Sequence, residues 1–412
     1  MNVVIYSLNY SPELTGIGKY NGEMAPWLAS QGYSVDVITA PPYYPEWKVH
    51  TGFSNKKFDS NTQNNVTVHR CPLYVPTTLS TIKRLIHLAS FAFTSAFKLF
   101  SLWNKKPSVV FVVEPTLFCV PMALLFCKLR GAKAVLHIQD YEVDAMLGLG
   151  MAGSPSGRVG RVAYVIESWL MRRFDKVSSI SYSMLDKAKT KGVDAAQLLF
   201  FPNWSDTSFV HPGVDGTALR KAWGISPEDQ VVLYAGNIGA KQGLELVVEA
   251  AERFQSRPNV KFFLVGSGAY VDALKSMVVE RTLDNVEFKP LQAWEDVPAM
   301  LAMADVHLVI QRKGAADSVL PSKLTNILSA GGFSVITAEG HTELGKLAEE
   351  FPGVYTCVDP ENIEAFCEGL TSELARSSGV NTVARVYAEE NLNKDAILGR
   401  FASDLSELSA KC

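Results

Sequence analysis

The sequence predicts an α/β protein of two doubly wound parallel-sheet units in tandem. Three observations carry this. Apolar runs with the continuous character of strands buried on both faces alternate with helical patterns along residues 1–205. The alternation restarts after a stretch rich in Pro, Gly and Ser, PNWSDTSFVHPGVDGT. At 412 residues the chain also exceeds one ordinary core and suits two domains. Strands separated by helices make each unit Rossmann-like, with right-handed crossovers. The boundaries read as 1–205, a linker at 206–216, and 217–392, with a terminal amphipathic helix in 393–412 that could cross back to the first unit.

The first unit opens on the strand Asn2–Leu8, the loop NYSPELTGIGKY and a helix through Trp27–Leu28 that stops at Gln31-Gly32. Strands follow at Ser34–Thr39, Val66–Arg70, Val109–Val113, Ala134–Ile138, Val177–Ile180 and Leu199–Phe201. Helical patterns lie at Ile82–Trp103, Thr116–Leu129, Arg158–Arg173 and Tyr182–Lys191. In the second unit the strands are Val231–Tyr234, Val260–Val265, Val286–Lys289, Val306–Ile310, Ser334–Thr337 and Val354–Cys357. Helices at Leu244–Gln255, Tyr270–Thr282, Val297–Met303 and Lys323–Ala330 sit between them, and another spans Val380–Leu392.

Charge is unevenly spread. Residues 1–210 hold 21 Lys+Arg against 14 Asp+Glu, and the remainder 18 against 28. No acidic residue falls between Asp59 and Glu114, where Arg70, Lys83, Arg84, Lys98, Lys105 and Lys106 all lie. The segment 82–106, IKRLIHLASFAFTSAFKLFSLWNKK, is long enough to span a bilayer but is interrupted by His87 and Lys98. It reads as an interfacial helix meeting an anionic membrane surface, with a core helix whose charged rim snorkels as the alternative. Six scattered cysteines without a C-x-x-C pair argue for a reducing cytosol and against disulfides or a zinc site. Nucleic-acid binding is disfavoured, because aromatic and basic residues do not interleave elsewhere.

Ligands of open α/β sheets sit at the carboxyl ends of the strands, so the expected site is a cleft between the units. Gly16 and Gly18 lie in the first strand-to-helix loop and allow a phosphate or sugar to approach; a plain tight turn is the alternative. Their spacing departs from the dinucleotide fingerprint, and no acidic residue closes the second strand, which disfavours a dehydrogenase. His137 and Asp140 end a strand, where they could hold sugar hydroxyls or handle a proton, or simply cap the turn. Gly236, Asn237 and Lys241 form the matching loop of the second unit, and Gly266 the turn after its next strand. The stretch Ala304–Gly332 delivers Lys313, Asp317, Ser322 and Lys323 to the start of a helix, where backbone N–H groups and the helix dipole attract anions. No Asp-x-Asp triplet and no His pair at ligand spacing occurs, so a metal-dependent nucleotide-sugar site is not supported.

With these loops, the chain resembles the GT-B glycosyltransferases of family 4. The runs HIQDYEVDAMLGLG, YAGNIGAKQGLE and RKGAADSVLPSKLTNIL, together with NYSPELTGIGKY, ITAPPYYPEW and FFPNWSD, are similar to the colanic-acid-type exopolysaccharide branch, described as fucosyltransferases. The resemblance implies two Rossmann-like domains facing a cleft. It implies transfer of a sugar from a nucleotide sugar, GDP-fucose, to a polyprenyl-diphosphate-linked oligosaccharide, without metal or cofactor, at the inner face of the cytoplasmic membrane. Gly16 and Gly18 would then meet the donor diphosphate or sugar, Asp140 the sugar region, and Lys241 and Lys323 the diphosphate. The sequence departs from the family at two points. Asn237 stands where the family commonly has Arg. The two carboxylates of the E-x7-E motif fall at Ser318 and Asn326, so Asp317 could supply the first from one residue away and Asn326 could bond ribose hydroxyls.

Two other functions fit the same scaffold. A nucleotide-sugar 2-epimerase needs acid/base groups but no acceptor and no apolar basic segment. A catalytically inactive module that recruits partners to the membrane would account for the absent E-x7-E carboxylates.

Overall fold

The computed structural model describes every residue except 14, 15, 45, 79, 116, 142–157, 315–320 and 411–412. The chain divides into two compact units. One is Met1–Pro202 with the chain from Leu398 onward, and the other is Asn203–Ile397. The crossing back therefore begins inside the terminal helix Lys394–Ala410, at Leu398.

In the first unit an eight-stranded sheet runs β3-β4-β2-β1-β5-β6-β7-β8. Its strands are β1 (Asn2–Ser7), β2 (Ser34–Thr39), β3 (Asp59–Gln63), β4 (Val66–Arg70), β5 (Val109–Glu114), β6 (Lys133–Ile138), β7 (Lys176–Ser179) and β8 (Leu198–Phe200). All pairings are parallel except β3 with β4. The central strands are apolar and buried on both faces, as a sheet covered by helices on each side requires. Helix α1 (Gly16–Ser30) lies on the face of Ser7, through Asn21. Helix α2 (Thr81–Ser101) lies on the opposite face, where Ser95 meets Tyr6 at 2.6 Å. Helix α3 (Val120–Arg130) packs beside α2 and ends in a left-handed Gly131. The terminal helix closes this unit by stacking Phe401 on Phe201 at 3.9 Å and against Phe111 at 5.1 Å.

The sequence pattern does not show β3. Its residues DSNTQ are exposed throughout and carry no apolar period, and the strand exists because β4 offers it an antiparallel edge.

The second unit holds a six-stranded, wholly parallel sheet, β11-β10-β9-β12-β13-β14. These strands are β9 (Gln230–Ala235), β10 (Val260–Val265), β11 (Val286–Lys289), β12 (Val306–Val309), β13 (Phe333–Thr337) and β14 (Thr356–Val358). Its core includes Val232, Leu264, Leu308, Val335 and Phe366, the last from helix Ile363–Arg376. That helix, Thr217–Ala222 and Glu343–Glu350 are absent from the sequence reading.

Candidate functional site

In the second unit three strands bring their loops together at one sheet edge. The loops after β9 and β10 are tied by backbone bonds: Gly236 N–H donates to Val265 O, Ile238 N–H to Ser267 O, and Tyr270 N–H to Ile238 O. A Cβ at Gly266 would lie 1.9 Å from Gly236 O, so only glycine lets these chains touch. The β12 loop joins through Arg312, which donates to Ala240 O at 2.8 Å and to Glu245 at 2.7 Å; Glu245 in turn accepts from Tyr270 Oη at 2.6 Å. Arg312 is a part of the site that the sequence reading lacks, because nothing local marks it as a clamp.

Lys323 is in the first turn of helix Ser322–Ser329, which has no acidic residue there and no side-chain cap. Its ammonium lies 3.9 Å from the ring centroid of Tyr234, and a Cβ at Gly236 would come within 3.1 Å of it. Tyr234 is itself held by its hydroxyl, which donates to Asn237 O at 2.7 Å. Among the described residues no carboxylate pairs with Lys323. Burial pushes its ammonium down to about 7. A half-neutral lysine set on an aromatic ring, beside glycine loops and the positive end of a helix dipole, is arranged to take an anion that restores its proton.

The other predicted residues of this unit are placed as follows. Asn237 and Lys241 are exposed on the β9 loop, Lys241 in the short 3-10 turn Ala240–Gln242. Ser322 is exposed at the helix start. The Oδ1 of Asn326 accepts from Ser205 Oγ at 2.9 Å, which takes up one of the two acceptor positions of the carbonyl oxygen. Asp317 and Ser318 lie outside the described residues.

In the first unit Gly16 opens α1 at φ 56°, and Gly18 is buried against Glu13, where a Cβ would clash at 2.6 Å. Both therefore shape the loop tightly. His137 does not present its imidazole at the strand tip as expected. The ring lies in the interior between Phe111 and Phe201, with Ser178 Oγ at 3.0 Å from Nδ1 and Gln139 at 2.9 Å from Nε2. Burial holds it down to about 3, so it stays neutral at ordinary pH and packs instead of exchanging protons. Asp140 is exposed just past β6.

The structure shows a polar cluster at this edge that the sequence reading passed over. Glu13, nearly fully buried, accepts from the backbone N–H of Tyr43 at 2.9 Å and Tyr44 at 3.0 Å, and from Asn9 at 2.8 Å. Burial pushes its carboxyl upward, against those hydrogen bonds. His87 Nε2 lies 3.0 Å from Tyr43 Oη, and Arg70 donates to Ala40 O and Ser11 O. These partners come from the loops after β1 and β2, the end of β4 and the body of α2, and no local motif links them.

Residues 15–204 match the Glycosyl transferase 4-like domain family, and residues 215–386 match Glycosyl transferases group 1. The chain is 51% identical over 408 residues, 98% of its own length and 100% of the relative's, to WcaI of Escherichia coli, whose name assigns it to colanic acid biosynthesis as a glycosyl transferase. In fold it is similar to sucrose-phosphate synthase from Thermosynechococcus elongatus, at TM-score 0.77 and 17% identity over 100% of both chains. HepE of Anabaena, solved in complex with UDP, superposes at TM-score 0.71 and 15% identity over 99% of this chain and 100% of that one. Two family domains in order along the chain, and identity at half its positions to a full-length relative, make this protein a member of the GT4 glycosyltransferases, built on the GT-B fold.

Proposed function

We propose that the protein transfers L-fucose from GDP-fucose to a polyprenyl-diphosphate-linked oligosaccharide in colanic-acid-type exopolysaccharide synthesis, at the inner face of the cytoplasmic membrane. The observation that carries a nucleotide-diphosphate donor is Lys323, an ammonium without a carboxylate partner among the described residues, beside Gly236 and the helix N-terminus. The sugar and pathway rest on the similarity to the colanic-acid relative. Departure of a nucleoside diphosphate from an anomeric carbon builds negative charge on the β-phosphate. Fixed cationic and N–H donors aimed there stabilise the transition state without reorganising. Lys323 supplies that charge with Lys241 on the neighbouring loop, and the reading includes no metal or cofactor. Asp140, exposed beyond β6, remains the group nearest the sugar in this reading.

The acceptor's lipid anchor accords with α2. Ile82, Phe93 and Phe97 are 70%, 67% and 62% exposed, and an apolar groove of about 560 Å³ runs between α2 and the Phe118–Met122 segment. His87, which interrupts the run in sequence, is turned inward and leaves the outer face apolar. Among the described residues no helix is long and apolar enough to cross a membrane, so α2 lying in the interface is the arrangement proposed. Lys105 is engaged with Asp36 and Lys83 with the Thr78 hydroxyl, which leaves Arg84, Lys98 and Lys106 for anionic lipid.

The test is incubation with labelled GDP-fucose, with and without a membrane lipid extract. Label appearing in lipid only with the extract supports the proposal. Conversion of the donor to an isomer indicates a 2-epimerase, and no reaction of any nucleotide sugar indicates a recruitment module.

A further inference from the structure

The β3–β4 hairpin has two unlike faces. Its register pairs Asp59 with Arg70, Asn61 with Val68 and Gln63 with Val66, so these six side chains share one face. Ser60, Thr62, Thr67 and His69 share the other, which is closed by its own bonds. Ser60 Oγ lies 2.8 Å from His69 Nδ1, Thr62 bonds Thr67 at 3.0 Å, and His69 Nε2 meets Asp36 at 2.8 Å. On the first face, Asp59, Asn61 and Gln63 are exposed, and among the described residues their side chains make no hydrogen bond.

That open face forms one wall of a groove of about 500 Å³, whose far wall is α1 and whose rim carries Phe53, with the buried Tyr10 lining it from below. Arg70 is stacked over the Phe53 ring at 4.7 Å. Gly22 and Pro26 line the α1 wall.

The groove thus combines a floor of Val66 and Val68, the exposed Phe53 ring at its edge, and a row of amide and carboxylate groups set two residues apart along a strand, roughly 7 Å. Asp59 and Arg70 balance in charge, so neither a cation nor an anion is favoured. Apolar faces alternating with neutral hydrogen-bonding groups describe a sugar ring, which stacks its C–H face and bonds its hydroxyls. We propose that this groove is a binding site for neutral sugar units of an oligosaccharide acceptor, held on the α1 face of the first unit. The proposal rests on an oligosaccharide being the acceptor and is independent of which sugar is donated. It lies on the sheet face opposite α2, so a glycan held there and a lipid held by α2 would occupy different sides of the unit.

The test is saturation-transfer NMR on the full chain with a panel of neutral di- to tetrasaccharides, followed by titration of those that bind. At least one member binds at millimolar concentration or tighter. The double substitution Asn61→Ala/Gln63→Ala, at exposed positions that leave the fold intact by circular dichroism, weakens it about tenfold. The same glycan binds normally to Lys323→Ala, which separates this site from the donor site: loss of nucleotide binding in Lys323→Ala leaves the glycan result standing. No binding by any member, or equal binding by wild type and the double variant, overturns the proposal. So does concentration-dependent self-association abolished by Thr62→Pro, which would show that the exposed edge strand pairs with a second chain instead.

Discussion

Lys323 has a folded-state pKa of about 7, well below the ordinary lysine value near 10.4. Between those values the unfolded chain binds a proton that the ligand-free folded protein does not. Stability of the free protein therefore rises with pH across that window, and the penalty for burying the ammonium is largest below about 7. If Lys323 holds the donor diphosphate as proposed, nucleotide diphosphate restores the charge and binding should take up a proton near pH 8. Calorimetry of GDP binding in buffers of different ionisation enthalpy should show this uptake and should lose it in Lys323→Met. On turnover, Lys323→Ala should lower kcat/KM by about 10²–10³ with the fold intact, and near-normal turnover would remove Lys323 from the donor site. Gly266→Ala forces a Cβ into Gly236 O at a φ of 148°, and should destabilise the protein by about 1–3 kcal/mol while weakening nucleotide binding. Thermal unfolding and a GDP titration check both effects.

At the scale of elements, α2 was legible as an apolar basic helix, but its two faces were not. The sequence shows His87 as a break in the apolar run. Only packing shows that it points inward to Tyr43 and Tyr74 while Phe93 and Phe97 point out. Phe93→Ser/Phe97→Ser should abolish flotation with anionic liposomes at low salt and leave GDP binding unchanged. If wild type itself stays with the soluble fraction, the interfacial role of α2 is wrong. Strand β3 could not be read at all. Its polar residues become a strand only because β4 has an unpaired edge, a long-range fact without a local signature. Helices Glu343–Glu350 and Ile363–Arg376 went unread for a milder reason. Their apolar stripes are narrow, with Leu344 and Leu347 in one and Phe366, Leu370 and Leu374 in the other.

For the whole molecule, the two units have separate cores, and the last helix belongs mostly to the first. Phe401→Ala removes a ring stacked on Phe201 and edge-on to Phe111 and should cost about 3–5 kcal/mol, read as earlier unfolding of the first unit. The candidate donor loops lie entirely in the second unit, so GDP should raise only the transition of that unit. Sequence alone determined the α/β class, the two-unit plan and the positions of most strands. Each of these is written locally, in runs of apolar residues spaced by turn-forming ones. It also placed Lys323 at a helix start beyond a strand. Tertiary structure decided which polar groups are available. His137, with the same local pattern as a strand-tip ligand, is turned into the core by its register opposite Ser178. Glu13, Arg70 and Tyr43 meet from loops far apart in the chain. Side-chain direction and long-range neighbours follow from strand register and loop closure, which no short stretch of sequence contains.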